Sequence, residues 1–434
     1  MTGRTLRPVT LLAVAVLMVV AGCGGGSTTD TPTPTGPDLG SATTPSATTL
    51  ATATTPTDST TPTQQSPTRQ EESTTRRSNE RGRVDIPVRG AGTLPFDVNR
   101  TYRRTMELLG NPAGVDPPEQ IYLYRPDTAW KPTVQDPFAQ TLLDARRESN
   151  FTFERHDGVV IGVTGDEGPD ALQFTVVHGA QFESVDDTSG MQAAFAEDYH
   201  RRQVGASIVE GSASYVAFQY MRRYTDRNET WLRTATDEYL NASPAGKYAW
   251  ATSHFGQQYV ADRVDSPSDH WRLYRNPPNT TEEVVHGLAP GSEPPTPLSV
   301  TVDGERWSVS DRQTRGEMFT RVVLAAELPE QRAARGAAGW GNDTLVTLER
   351  NGRQGYVWTV RRDSATDASE FLQAFRAAMD RRGDRWGGYW TGDDDAIRIV
   401  RVAPETVVVA TGPTRFVTGV DVTGSNESVT VGTR

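Results

Sequence analysis

The sequence predicts an α+β protein, and two observations carry that prediction. Residues 97–109, 170–183 and 190–224 place apolar side chains at helical spacing, whereas residues 345–410 hold short apolar runs on either side of one helical stretch. A third observation bounds the folded part. From residue 24 to residue 82 the chain is dominated by Ser, Thr and Pro, with almost no large apolar side chains. Such a segment buries too little surface to offset the entropy of ordering it. The folded part is therefore expected over residues 83–434, as a helical domain with short strands over 83–300 and a smaller α+β domain over 301–434.

Composition narrows the function classes. The 434 residues carry one cysteine, which excludes a disulfide framework, a Cys-rich zinc module and a cysteine redox pair. Fifty-five acidic residues against 44 basic ones leave a net charge of -11, which disfavours nucleic acid as a partner. Lys131 and Lys247 are the only lysines. An acidic, lysine-poor balance suits solubility in high salt, and a high-GC genome would also favour arginine over lysine.

Taken in order, residues 1–23 read as an export signal. Arg4 and Arg7 precede an apolar run over 9–20, too short for a hydrocarbon core that needs ~20 helical residues. The run ends in Val20-Ala21-Gly22-Cys23, which resembles a lipobox. That resemblance implies lipidation of Cys23 and anchoring to the outer face of the cell membrane, with 24–82 as a disordered stalk. Sequons at Asn99, Asn150, Asn228, Asn241, Asn279, Asn342 and Asn426 are candidates for glycosylation. Within the folded part, 97–109 reads as a capped helix and 158–163 as a short strand. Residues 170–183 form a buried helical stripe, and 190–224 a long helical stretch interrupted near Gly205 or Gly211. Residues 265–300 look like a long loop in which Thr280 or Thr281 can cap a turn of helix containing Glu282 and Glu283. Residues 313–336 return to helix. Residues 345–348, 355–360, 397–402 and 406–410 read as strands around a helix over 367–381.

The segment Phe174-Thr175-Val176-Val177-His178-Gly179-Ala180-Gln181 and the later Glu210-Gly211-Ser212-Ala213 carry the main chemical clue. Together they resemble zinc metallopeptidases in which a helix carries H-E-x-x-H-A-x-Q and the next long helix carries E-G-D-A. In that pattern two histidines share one helix face and bind zinc, the intervening glutamate activates water, and the second helix supplies a third ligand. The resemblance assigns His178 and Glu210 to ligand positions. It also puts Phe174 where the first histidine belongs and Thr175 where the general base belongs, so the motif is degenerate. Residues 253–260, 276–286, 315–319 and 337–343 extend the likeness to a group of haloarchaeal surface lipoproteins of unknown function.

What the resemblance implies is a pseudo-peptidase: no catalytic residues, no obligatory cofactor, and a former cleft that binds peptide or envelope glycoprotein. His178, Glu210 and His286 are the candidates for a residual metal site or cleft. The plainer reading is a polar contact between His178 and Glu210 inside a packed helix pair. Two further readings stay open. One is a zinc-dependent hydrolase completed by an unusual ligand such as His254 or His286. The other is a structural or glycan-binding envelope protein that stacks sugars on the aromatics of 386–390. Asp393, Asp394 and Asp395 lack the alternating ligands of a calcium loop and read as a solvated acidic turn.

Overall fold

The structure, a computed structural model, describes residues 85–110, 118–124, 134–144, 159–162, 169–183, 199–225, 239–392 and 395–434. Cys23, the export signal, the stalk, Asn150 and Asn228 lie outside these residues, as do Asp393 and Asp394. From Ile86 to Arg434 the described residues belong to one compact unit.

The first half is built of helices beside a small parallel sheet. Strand β1 (Val88–Gly90) precedes helix α1 (Val98–Leu108), which starts where the side chain of Asp97 accepts a hydrogen bond from the backbone N–H of Arg100. Strand β2 (Ile121–Tyr124) and helix α2 (Pro137–Leu143) follow, and the side chain of Asp136 caps α2 by accepting from the N–H groups of Phe138 and Ala139. Strand β3 (Val159–Gly162) completes a parallel sheet in the order β1-β2-β3. Helices α3 (Pro169–Glu183), α4 (Tyr199–Tyr224) and α5 (Pro244–Ala261) then pack in succession.

Helix α4 runs without the interruption expected at Gly205 or Gly211. Gly211 is instead a contact surface, because a Cβ there would lie 2.2 Å from the backbone carbon of Gly256 on α5. In return, a Cβ on Gly256 would lie 2.0 Å from the carbonyl oxygen of Ser207. The glycines let two backbones meet where any side chain would hold them apart.

The expected loop over 265–300 contains more structure than its Pro/Asn content suggests. A 3₁₀ turn (Pro267–Asp269) leads into α6 (Trp271–Arg275), and α7 (Thr281–Val285) follows. Thr280 caps α7 by accepting from the N–H of Glu283, and Glu283 accepts from the N–H groups of Asn279 and Glu293. These bonds give a five-residue helix a firm start.

The second half forms layers. Strands β4 (Ser299–Asp303) and β5 (Ser308–Gln313) precede α8 (Gly316–Ala325) and α9 (Glu330–Ala337). The expected single helix over 313–336 is thus two helices, divided before Pro329, whose missing N–H suits a helix start. Next come β6 (Trp340–Arg350), β7 (Arg353–Arg362) and α10 (Ala365–Arg382). Strands β8 (Arg385–Trp386), β9 (Tyr389–Thr391), β10 (Asp395–Arg401) and β11 (Thr406–Pro413) follow, then α11 (Thr414–Gly419), β12 (Val420–Gly424) and β13 (Ser428–Thr433).

Seven strands make a fully antiparallel sheet in the order β5-β6-β7-β11-β10-β9-β8. Asn351 and Gly352, both with positive φ, form the two-residue turn that joins β6 to β7. One face of this sheet packs on a three-stranded sheet, β12-β13-β4, through Val346, Val357, Val408, Val429, Val431 and Phe416. On β7, Trp358 meets Phe138, Phe319 and Phe371, which tie the sheet to α2, α8 and α10. Contacts therefore cross residue 300 in several places. The buried guanidinium of Arg315 donates to Asp136, and Arg382 donates to the carbonyls of Thr141 and Leu142.

Candidate functional site

Helices α3 and α4 place His178 beside Glu210, with Nε2 and Oε2 3.3 Å apart. Both residues are buried, and the two atoms face each other without the alignment of a hydrogen bond. Phe174 is only 2% exposed. Its ring stacks against His178 and also meets Phe218, so an apolar side chain fills the place of a first histidine. The hydroxyl of Thr175 donates to the carbonyl of Ala171, one turn back along the helix. Gln181 donates to the Tyr274 hydroxyl at 2.7 Å, and burial holds that phenol above its ordinary range. Two donor side chains do not hold zinc, which takes three protein ligands in catalytic sites and four in structural ones. The residues at 174, 175, 178 and 210 do not fit the metal that the sequence resemblance implies.

His286 does not join His178 and Glu210. It sits at the C-terminal end of α7 and pairs with Glu317 in the first turn of α8, Nε2 to Oε1 2.8 Å. Glu282 lies one helical turn before His286, a spacing that puts both on one face of α7. Ligand atoms of Glu282, His286 and Glu317 all fall within 4.8 Å of one another. No other group of three His, Cys, Asp or Glu residues comes together this way among the described residues. Glu317 is fully buried and Glu282 is 5% exposed, while the His286 side chain is 35% exposed and faces outward.

The electrostatics of this cluster are uneven. Burial, together with Glu317, Asp363 and Glu293, pushes the Glu282 carboxyl up to about 9 against the opposing pull of Arg362. The hydrogen bond to Glu317 raises His286 against the cost of its partial burial. Arg362 is buried nearby, but its Nη2 donates to the carbonyls of Gly336, Ala337 and Ala338.

A rigid frame holds the cluster. Asp343 on β6 accepts from the backbone N–H groups of Arg315 and Gly316 and from the indoles of Trp340 and Trp358. Burial pushes its carboxyl up, and these four N–H donors oppose that shift. Gly316 has φ +79°, and a Cβ there would strike Thr281 Oγ1 at 2.3 Å and the His200 ring at 2.4 Å. His200 Nε2 in turn accepts from the N–H of Thr281, and the N–H of Trp340 donates to Glu282 Oε1 at 3.2 Å. Of the four segments that carry the sequence likeness, 276–286, 315–319 and 337–343 thus meet around Glu282, His286 and Glu317, while 253–260 lies on α5.

Other candidates fall elsewhere. His254 stacks on Tyr239 at 4.0 Å, and burial, with Arg321 and Lys247 nearby, lowers it to about 4. In the segment 386–390, Trp390 is buried with its indole donating to Asp380, so it offers no ring to a sugar. Only Trp386, 83% exposed, presents an open face, at the glycine turn between β8 and β9. Among the sequons, Asn241 and Asn279 are exposed. Asn342 is engaged, its Nδ2 donating to the carbonyl of Thr296.

Glu282 and Glu317 were not among the sequence candidates. The Glu-x-x-x-His spacing of 282 and 286 was a legible signal for the first. Glu317 joins them only through the fold. Among the described residues no helix is long and apolar enough to cross a membrane. No curated protein and no solved structure matches the chain. Over residues 305–421, which take in Glu317 but none of His178, Glu210, Glu282 and His286, the chain is similar to a family described as a domain of unknown function (DUF8575).

Proposed function

We propose that the chain is a lipid-anchored protein of the cell surface whose folded part binds a peptide or an envelope glycoprotein and does not cut it. Cys23 is the anchor, and the stalk over 24–82 holds the folded part away from the membrane. The observation that carries the reading is the filling of position 174. The Phe174 ring lies buried against His178, and Thr175 spends its hydroxyl on the helix backbone. Among the described residues, a water molecule near His178 and Glu210 would meet no third metal ligand and, with Thr175 at the general-base position, no second carboxylate to take its proton, and zinc-dependent hydrolysis needs both. The cleft of such a protein is left with recognition alone.

The test is a hydrolysis assay on the full-length protein, with a panel of unstructured peptides and added zinc, in the presence and absence of chelator. The expected result is no cleavage under either condition. Chelator-sensitive cleavage that disappears in His178→Ala would overturn the proposal.

A further inference from the structure

We infer that Glu282, His286 and Glu317 bind a divalent cation of the zinc class, at a place separate from His178 and Glu210. The donor set is one imidazole and two carboxylates. Calcium and magnesium prefer oxygen alone, whereas zinc and its neighbours accept nitrogen and oxygen together. The three ligand atoms lie within 4.8 Å of one another, while donors around tetrahedral zinc stand about 3.4 Å apart. Small side-chain rotations therefore close the set.

A second observation is independent of the clustering. Glu317 is completely buried, and its Oε2 has no hydrogen-bond partner. Its other oxygen accepts from His286, so the carboxylate belongs to the cluster and carries an acceptor that none of the described residues satisfies. The buried Arg362, whose charge pulls on both glutamates, directs its Nη2 at the carbonyls of 336–338 and makes no ion pair with either of them. Beyond it, Glu293 and Asp363 add negative charge at the exposed side of the cluster. The Asp343 frame and the capped α7 hold the ligands in place before any ion arrives. The exposed edge of His286 leaves the remaining coordination position to water or to a donor from a bound partner.

This inference does not depend on the non-catalytic reading, because the hydrolysis panel and a metal titration report separately. The experiment uses full-length protein in detergent, stripped of metal and titrated with Zn²⁺ and, for its visible spectrum, Co²⁺. The expected result is one ion per chain, with affinity at least tenfold weaker in His286→Ala and in Glu317→Gln and unchanged in His178→Ala. Because Glu317 is buried, its variant is checked by near-UV circular dichroism. If it fails to fold, the half-exposed His286→Ala decides alone. Substoichiometric binding by the parent protein, unchanged affinity in His286→Ala, or loss in His178→Ala would each overturn the inference.

Discussion

Glu282 sits among like charges. Its folded pKa of about 9 stands above the ordinary 4.5, chiefly through burial and then through Glu317, Asp363 and Glu293. In metal-free protein the folded state therefore holds this proton over a pH range in which the unfolded chain has lost it. The stability it contributes is fully present below pH 4.5 and falls as pH rises toward 9. His286, raised by Glu317, is a base stabilised in its protonated form, and its contribution also falls as pH rises. Denaturation midpoints measured in chelator should drop from pH 5 to pH 9, with a shallower slope in Glu282→Gln. Parallel slopes for the two proteins would contradict this assignment. At this scale the sequence was partly readable. Glu282 and His286 announce themselves by spacing, whereas Glu317 and Asp343 gain their meaning only from the burial that brings β6, α7 and α8 together.

Among the elements, α4 and α5 show what a pattern search misses. Helix α4 is buried continuously from Ser207 to Phe218, so it has no polar face from which to read a stripe. Its glycines read as interruptions in the sequence and serve as the contact with α5. Gly256→Ala should destabilise the protein by about 2 kcal/mol through overpacking, measured by thermal or denaturant unfolding. A neutral result would mean that the helices part freely at this crossing. The strands at 345–348, 355–360, 397–402 and 406–410 were legible because a strand in a layered core is a run of apolar residues. Strands β1 and β8 were not, being three and two residues long. Strand β12 pairs with β13, and β13 pairs with β4, more than a hundred residues earlier, a pairing that no local pattern reveals.

For the whole molecule, the sequence divides the folded part at residue 300, and the structure lays β4 across that point, paired with β13 near the C-terminus. The two halves are joined by Arg315 to Asp136, by Arg382 to the end of α2, and by Glu282 to Trp340. The last of these joins runs through the Glu282–His286–Glu317 cluster. His178 and Glu210, by contrast, lie between two helices of the first half. Those two places give the proposals their central claim: His178 and Glu210, where the sequence resemblance would place zinc, do not fit it, and the metal site is proposed at the join instead. The most direct measurement is an anomalous difference map at the zinc edge from crystals of the protein soaked in Zn²⁺. The account predicts a peak among Glu282, His286 and Glu317 and none between His178 and Glu210. A peak at His178 and Glu210, with none at the join, would contradict it.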